Sequence, residues 1–222
     1  MINIKLDLIF SIYDQLQLYI FSIIFWTGLY IIANQSLNLS HLPKKSEYDI
    51  KNRIISVAHG LTAFYLSLYS IIYNQDQLDG KNTNFQNFIF IQSAGYFFYD
   101  TFAMIYYNIH DKGILIHHVV VQISYLVSIV YQYGGTESLW ALIFAEVTNW
   151  SMNFRLIVKQ LGLKHTKLYQ FLEYHFISFY IVSRGICVPV YVYHCIISQF
   201  FPFILKILCI GLSAQSIYYI FV

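Results

Sequence analysis

Along most of this chain, apolar residues run in long blocks separated by short polar clusters. Blocks long enough to cross a bilayer lie near Leu16–Ala33, Ile54–Tyr73, Phe85–Tyr107, Ile114–Gln132, Ser138–Val158, Leu168–Cys187 and Phe200–Val222. A membrane-spanning helix needs about 20 predominantly apolar residues. Helices are predicted rather than strands because the blocks do not alternate strictly. Lipid also demands that each backbone polar group be paired within the segment. The pattern therefore predicts an all-α membrane protein of about seven transmembrane helices with short connections. No repeat or low-complexity linker interrupts it.

Composition agrees. Of the residues, 58% are hydrophobic and 11% charged, against about 25% charged in a soluble domain. A chain of this length still needs a polar skin in water, and a bilayer removes that need. The net charge of +2 and the lack of a Lys/Arg run exclude nucleic acid as an expected partner. Cys187, Cys195 and Cys209 lie in apolar sequence without a CxxC pair, so they are expected to be core or lipid-facing thiols. The opening stretch MINIKLDLIFSIYDQ predicts no cleavable leader: its apolar region is short and no small-residue cleavage site follows.

Charge sets an orientation. Lys44, Lys45, Lys51, Arg53, Lys112, Lys159, Lys164 and Lys167 fall on odd-numbered connections, with Lys5 and Lys81 on the other side. Positive loops stay on the synthesis side. The odd-numbered connections are therefore expected to face the cytosol, or the matrix for a mitochondrial inner-membrane protein. The first span carries almost no polar residue and is expected to sit apart.

Ionisable residues inside spans are costly and usually face a bundle interior or a wet cavity. Here they are His59, Asp100, His117, His118, Glu146, Arg155, Glu173, His175, Arg184 and Lys206. Most fall in the leaflet half nearer the basic loops, a pattern that suits a cavity open to the cytosolic side. Lys206 lies nearer the outer face, where it can snorkel. Glu146, Asn149 and Asn153 share a helix face, and so do Glu173, Tyr180 and Arg184. Ser56, His59, Ala63, Ser67 and Ser70 form a small polar stripe expected to be a packing seam.

His117 and His118 point about 100° apart on a helix, so one can face a cavity while a neighbour holds the other. A neutral imidazole can serve as base or nucleophile when a carboxylate or carbonyl orients it. Asp100 and Glu146 are candidate orienting acids. The plainer alternative is two interfacial histidines satisfied by water. Asp100 has the alternative of a structural pairing with Arg184 or Arg155, and Arg184 that of anchoring a partner or a lipid phosphate. No metal is expected, since no HExxH or comparable spacing occurs.

In order, the chain reads Asn52-Arg53-x-x-Ser56-x-x-His59, Gly95-Tyr96-Phe97-Phe98-Tyr99-Asp100, Ile116-His117-His118, Glu146-x-x-Asn149-x-x-x-Asn153-x-Arg155 and Ser183-Arg184-Gly185 before Pro189. This series resembles the TLC-domain family, the membrane family that includes the ceramide synthases. The resemblance covers about residues 50–222. It implies a six-helix barrel over 50–222, with residues 1–49 forming a peripheral transmembrane helix and its connecting loop. In the synthases the paired histidines serve acyl transfer from acyl-CoA to a sphingoid amine. Carried over, that role falls on His117 and His118, with acyl-CoA as the implied substrate. His59, Asn149, Asn153, Arg155 and Arg184 would form the polar interior that meets lipid.

The synthases' HDxxD segment is absent, and Glu146-Val147-Thr148-Asn149 stands in that region. The chain is more similar to the non-synthase TLC-domain-containing proteins, although Asn149-Trp150 replaces their usual Pro-Phe. That branch is linked to membrane lipid composition, lipid sensing or trafficking. Two functions follow as expectations: a lipid-handling membrane protein, or a structural subunit among other membrane protein subunits. A transporter ranks third, because no inverted repeat is visible. The family favours the endoplasmic reticulum, and the charge bias also fits the mitochondrial inner membrane.

Overall fold

The computed structural model describes residues 11–74 and 77–221. Among them the only strand-like feature is an isolated bridge between Lys81 and Tyr133. The leader reading and Lys5 fall wholly or partly on residues 1–10, outside the described residues, as does Val222. The helices are α1 (Ile12–Ser36), α2 (Lys44–Tyr73), α3 (Asn84–Tyr106), α4 (Lys112–Tyr131), α5 (Gly135–Glu146), α6 (Asn149–Gln160), α7 (Lys167–Tyr180), α8 (Val188–Ile197) and α9 (Phe203–Phe221). A π-helical stretch, Ile181–Cys187, joins α7 to α8.

Caps set several starts. Ser11 with Asp14 and Thr83 with Gln86 form reciprocal capping boxes at α1 and α3. Asp111 accepts from the Gly113 and Ile114 N–H groups at α4. α2 begins at Lys44, well before the apolar block at Ile54. Its charged first turns are helical because Glu47 pairs with Lys44 at 3.0 Å and Lys51 at 2.7 Å, and Arg53 pairs with Asp49 at 2.7 Å.

Two expected spans take a different form. The fifth is broken at Val147-Thr148 into α5 and α6. Side chains there bond to backbone carbonyls: Thr148 Oγ1 to Ala145 O, Ser151 Oγ to Thr148 O and Asn153 Nδ2 to Asn149 O. Such bonds compete with the helical ladder. The sixth runs on to Ile197, beyond the expected Cys187. Pro189 has no N–H to give Gly185, and its ring crowds that carbonyl; the wider π-helical turn precedes it and lets the rod continue.

Among the described residues, five helical rods are long and apolar enough to cross a membrane: α1, α2, α4, α7 through α8, and α9. α3 carries Gln86, Asn87, Gln92, Ser93 and Asp100, and α5 and α6 are 12 residues each.

The packing closes into a ring: α2 on α3, α3 on α4, α4 on α9, α9 on the π-helix and α8, these on α5, and α5 with α6 back on α2. α1 lies outside this ring, against α3 and α2. It is not detached, however. Ser22 Oγ and Trp26 Nε1 both donate to Gln92 O, at 2.9 and 3.3 Å. Gly95 makes this approach possible, since a Cβ there would stand 2.3 Å from Ser22 Oγ. The stripe Ser56, His59, Ala63, Ser67 and Ser70 is buried on α2.

Connections gather at two ends. At one, Asp79 N–H donates to Glu137 Oε1, Ser198 Oγ donates to Asp79 Oδ1, and Asn82 N–H donates to Gln132 O. Lys206 caps α8 there by donating to the Ile196 and Ser198 carbonyls at 2.8 and 2.7 Å. At the other end, Gln160 bonds Asp49 and Gln215 bonds Gly113 O. The basic residues of the odd-numbered connections all collect at this second end. Lys51 is not a loop charge but a buried one, held by Glu47 and by Asn34 O and Oδ1.

Candidate functional site

The ring encloses a cavity between α3, α4, α5, the α7–α8 rod and α9. About 110 Å³ of it admits the centre of a water-sized sphere. One water needs about 10–15 Å³ on this measure, so the space takes several waters or a small head group as it stands. Its walls are graded. His117, Glu146, Arg184, Ser213 and Ser216 line the part nearer the basic loops. Val121, Leu142, Val188, Phe201 and Leu205 dominate the rest, where Ser124 and Ser138 also reach the wall.

The two histidines part company. His117 lines the cavity, next to Gln215. His118 is buried and turned toward α3, with Nε2 3.6 Å from Asp100 Oδ2 and Nδ1 3.2 Å from Thr101 Oγ1. The Thr101 hydroxyl donates its hydrogen to Phe97 O at 2.7 Å. His118 Nδ1 is therefore the donor to Thr101 Oγ1.

Asp100 sits in a closed polar cluster between α2 and α3. It accepts from Asn52 Nδ2 at 2.5 Å and from Tyr96 OH at 3.2 Å. Tyr99 OH donates to Asn52 Oδ1 at 2.7 Å, and Ser56 Oγ lies 2.9 Å from Tyr96 OH. Neither Arg184 nor Arg155 reaches Asp100, so the expected arginine pairing is replaced by this amide, phenol and imidazole set. Buried carboxylates persist only when so satisfied.

Glu146 lines the cavity at the end of α5 but touches no histidine. Asn149 Nδ2 donates to its Oε2 at 2.6 Å. Asn153 Nδ2 donates to Asn149 Oδ1 at 2.5 Å, Arg53 Nη1 to Asn153 Oδ1 at 3.1 Å, and Arg53 Nε to Asp49 Oδ2 at 2.7 Å. This ladder runs from the cavity to the basic end along the α2–α6 seam. Gly60 makes room for it: a Cβ there would stand 2.6 Å from Glu146 Oε2 and 2.9 Å from Asn149 Nδ2.

Arg184 lies on the π-helix and lines the cavity. Its Nη1 donates to Ser216 Oγ at 3.1 Å and its Nη2 to Ala145 O at 3.4 Å, while Nε has no partner. The guanidinium lies 5.7 Å from the Tyr180 ring centroid.

The remaining expected residues lie elsewhere. His59 is packed among Trp26, Tyr96 and Phe97, stacked on Tyr96 at 3.8 Å, with neither ring nitrogen bonded. Asn149 and Asn153 belong to the ladder. Arg155 pairs with Glu173 at 3.5 Å and lies over the Phe176 ring at 4.8 Å, between α6 and α7. Asn52, Tyr96, Tyr99 and Thr101, to which the sequence assigns no role, and Ser56, expected only in the packing seam, hold Asp100 and His118. Their spacing was the available signal: Asn52 with Ser56, and Tyr96 with Asp100, are four residues apart on one helix face.

Comparison with known proteins gives the lineage. The family model for the TLC domain matches residues 49–220. The chain is 29% identical over 181 residues to TLC domain-containing protein 4 A of Dictyostelium discoideum, covering 76% of this chain and 70% of that protein. It is 28% identical over 145 residues to a TLC domain-containing protein of Arabidopsis thaliana, covering 62% of this chain and 57% of the relative. The chain belongs to the TLC-domain family.

Proposed function

We propose that this protein binds a membrane lipid or a free acyl amphiphile inside the helical ring. The observation that carries this reading is the graded cavity, apolar over most of its wall and polar at the end bearing His117, Glu146 and Arg184. Small-molecule sites are typically concave, mostly apolar and supplied with a few placed polar groups. The family resemblance points the same way.

The expected histidine–acid pair is divided in space. His117 faces the cavity beside Gln215, whose amide is the group next to it. His118 lies off the cavity wall, with Thr101 at Nδ1 and Asp100 3.6 Å from Nε2. A base or nucleophile works from a free ring nitrogen in the cavity, so the cavity-facing imidazole is His117 and the acid stands beside the other. The binding reading needs only the cavity wall and not this pair.

Gentle extraction from the native membrane, followed by native mass measurement, tests this reading. A small particle carrying lipid supports it. A lipid-free protein bound to stoichiometric protein partners supports the structural-subunit alternative and overturns it.

A further inference from the structure

Among the described residues no carboxylate forms a direct ion pair with the Arg184 guanidinium, and the acid that acts on its charge, Glu146, does so from across the same cavity wall. Arg184 makes only neutral contacts, to a serine hydroxyl and a backbone carbonyl, and its Nε–H has none. Every other arginine or buried lysine among the described residues has an acid: Arg53 has Asp49, Arg155 has Glu173, and Lys51 has Glu47. A charge out of water without a partner is expensive. An arginine with an unpaired Nε–H on a cavity wall is placed to receive the charge of a ligand's head group. Arg presents a planar fork of donors suited to carboxylate and phosphate.

The surroundings narrow the ligand. Ser213, Ser216 and His117 add hydroxyl and imidazole groups at the same end. Glu146 is the one acid on this wall, and its Oε2 is engaged by Asn149. Selection therefore comes from Arg184's donors rather than from a net positive field. Beyond them, Leu142, Val188, Phe201 and Leu205 continue an apolar wall suited to an acyl chain, and the small volume favours one chain over two. Resting on the lipid-binding reading above, we infer that the ligand is a single-chain amphiphile with an anionic head, carboxylate or phosphate, held by Arg184.

The test uses the full chain in nanodiscs of neutral lipid. Binding of palmitate, palmitoyl-lysophosphatidate and monopalmitoylglycerol is measured on the wild type, on Arg184→Gln and on Arg184→Lys. The wild type is expected to prefer one or both anionic probes at least tenfold over the neutral one, and which of the two binds assigns the head group. Arg184→Gln is expected to lose that preference while keeping the neutral probe's affinity, and Arg184→Lys to keep part of it. Equal wild-type affinity for anionic and neutral probes would overturn the inference and leave the lipid-binding reading standing, and this comparison needs no variant to fold. Binding of none of the three would overturn both.

Discussion

Asp100 Oδ2 stands 3.6 Å from His118 Nε2, yet His117, one residue earlier, is the histidine that lines the cavity. The adjacent pair thus divides into one imidazole that ties α4 to α3 and one that is offered to a ligand. Substitution separates the two. Asp100→Ala strips the acceptor from Asn52, Tyr96 and His118 and is expected to destabilise the fold by about 2–3 kcal/mol, read as a lower unfolding temperature in detergent. His117→Ala is expected to leave that temperature nearly unchanged and to alter ligand affinity. Equal destabilisation by both would contradict the division.

Gly60 is a steric requirement of the Glu146–Asn149 pair. Gly60→Ala forces a Cβ into the space of Glu146 Oε2 and Asn149 Nδ2, and overpacking of this kind costs about 1–3 kcal/mol. Combining it with Asn149→Ala is expected to recover part of the loss in a double-mutant cycle. Strictly additive losses would show that the pair does not fill that space.

α1 docks through Ser22 against Gly95. Gly95→Ala is expected to loosen α1 while the ring persists, making the α1–α2 connection more sensitive to limited proteolysis. Ser22→Gly in the same chain removes the clashing side chain and is expected to restore resistance. Unchanged proteolysis in Gly95→Ala would contradict the docking.

The two sets of connections lie at opposite ends. Single cysteines at Lys164 and Lys81, in a chain whose three native cysteines are replaced, are expected to react with a membrane-impermeant maleimide from opposite sides, with Lys164→Cys on the cytosolic or matrix side. Labelling of both from one side would rule the arrangement out.

The rods were legible because hydrophobic continuity is a local property. Among the described residues the seven apolar blocks fall on helical segments, five of them long and apolar enough to cross a membrane, with the fifth block broken into α5 and α6 and the sixth carrying the π-helical turn. The breaks were not legible, because they depend on side chains bonding backbone carbonyls at Thr148 and on Pro189 within an otherwise apolar run. The charged start of α2 was missed because ion pairs, not hydropathy, hold it. Within the site, shared helix faces linked Glu146, Asn149 and Asn153 even across the break. The choice between His117 and His118 depends on the rotation of α4 against α3, which spacing along one helix does not encode. For Asp100 the histidine neighbour is the legible part, since His118 stands beside it, whereas the arginine alternative gives way to Asn52 and Tyr96, which packing rather than charge supplies.

If the ring cavity holds lipid, filling the cavity should expel it. Ala141 lines its wall, and Ala141→Trp would occupy the space. Wild type and Ala141→Trp are purified from the same membrane, matched for unfolding temperature, and compared by native mass spectrometry. The account predicts a bound lipid or acyl amphiphile on the wild type and its loss from Ala141→Trp. The same adduct on both proteins would place the lipid outside the ring and contradict the claim.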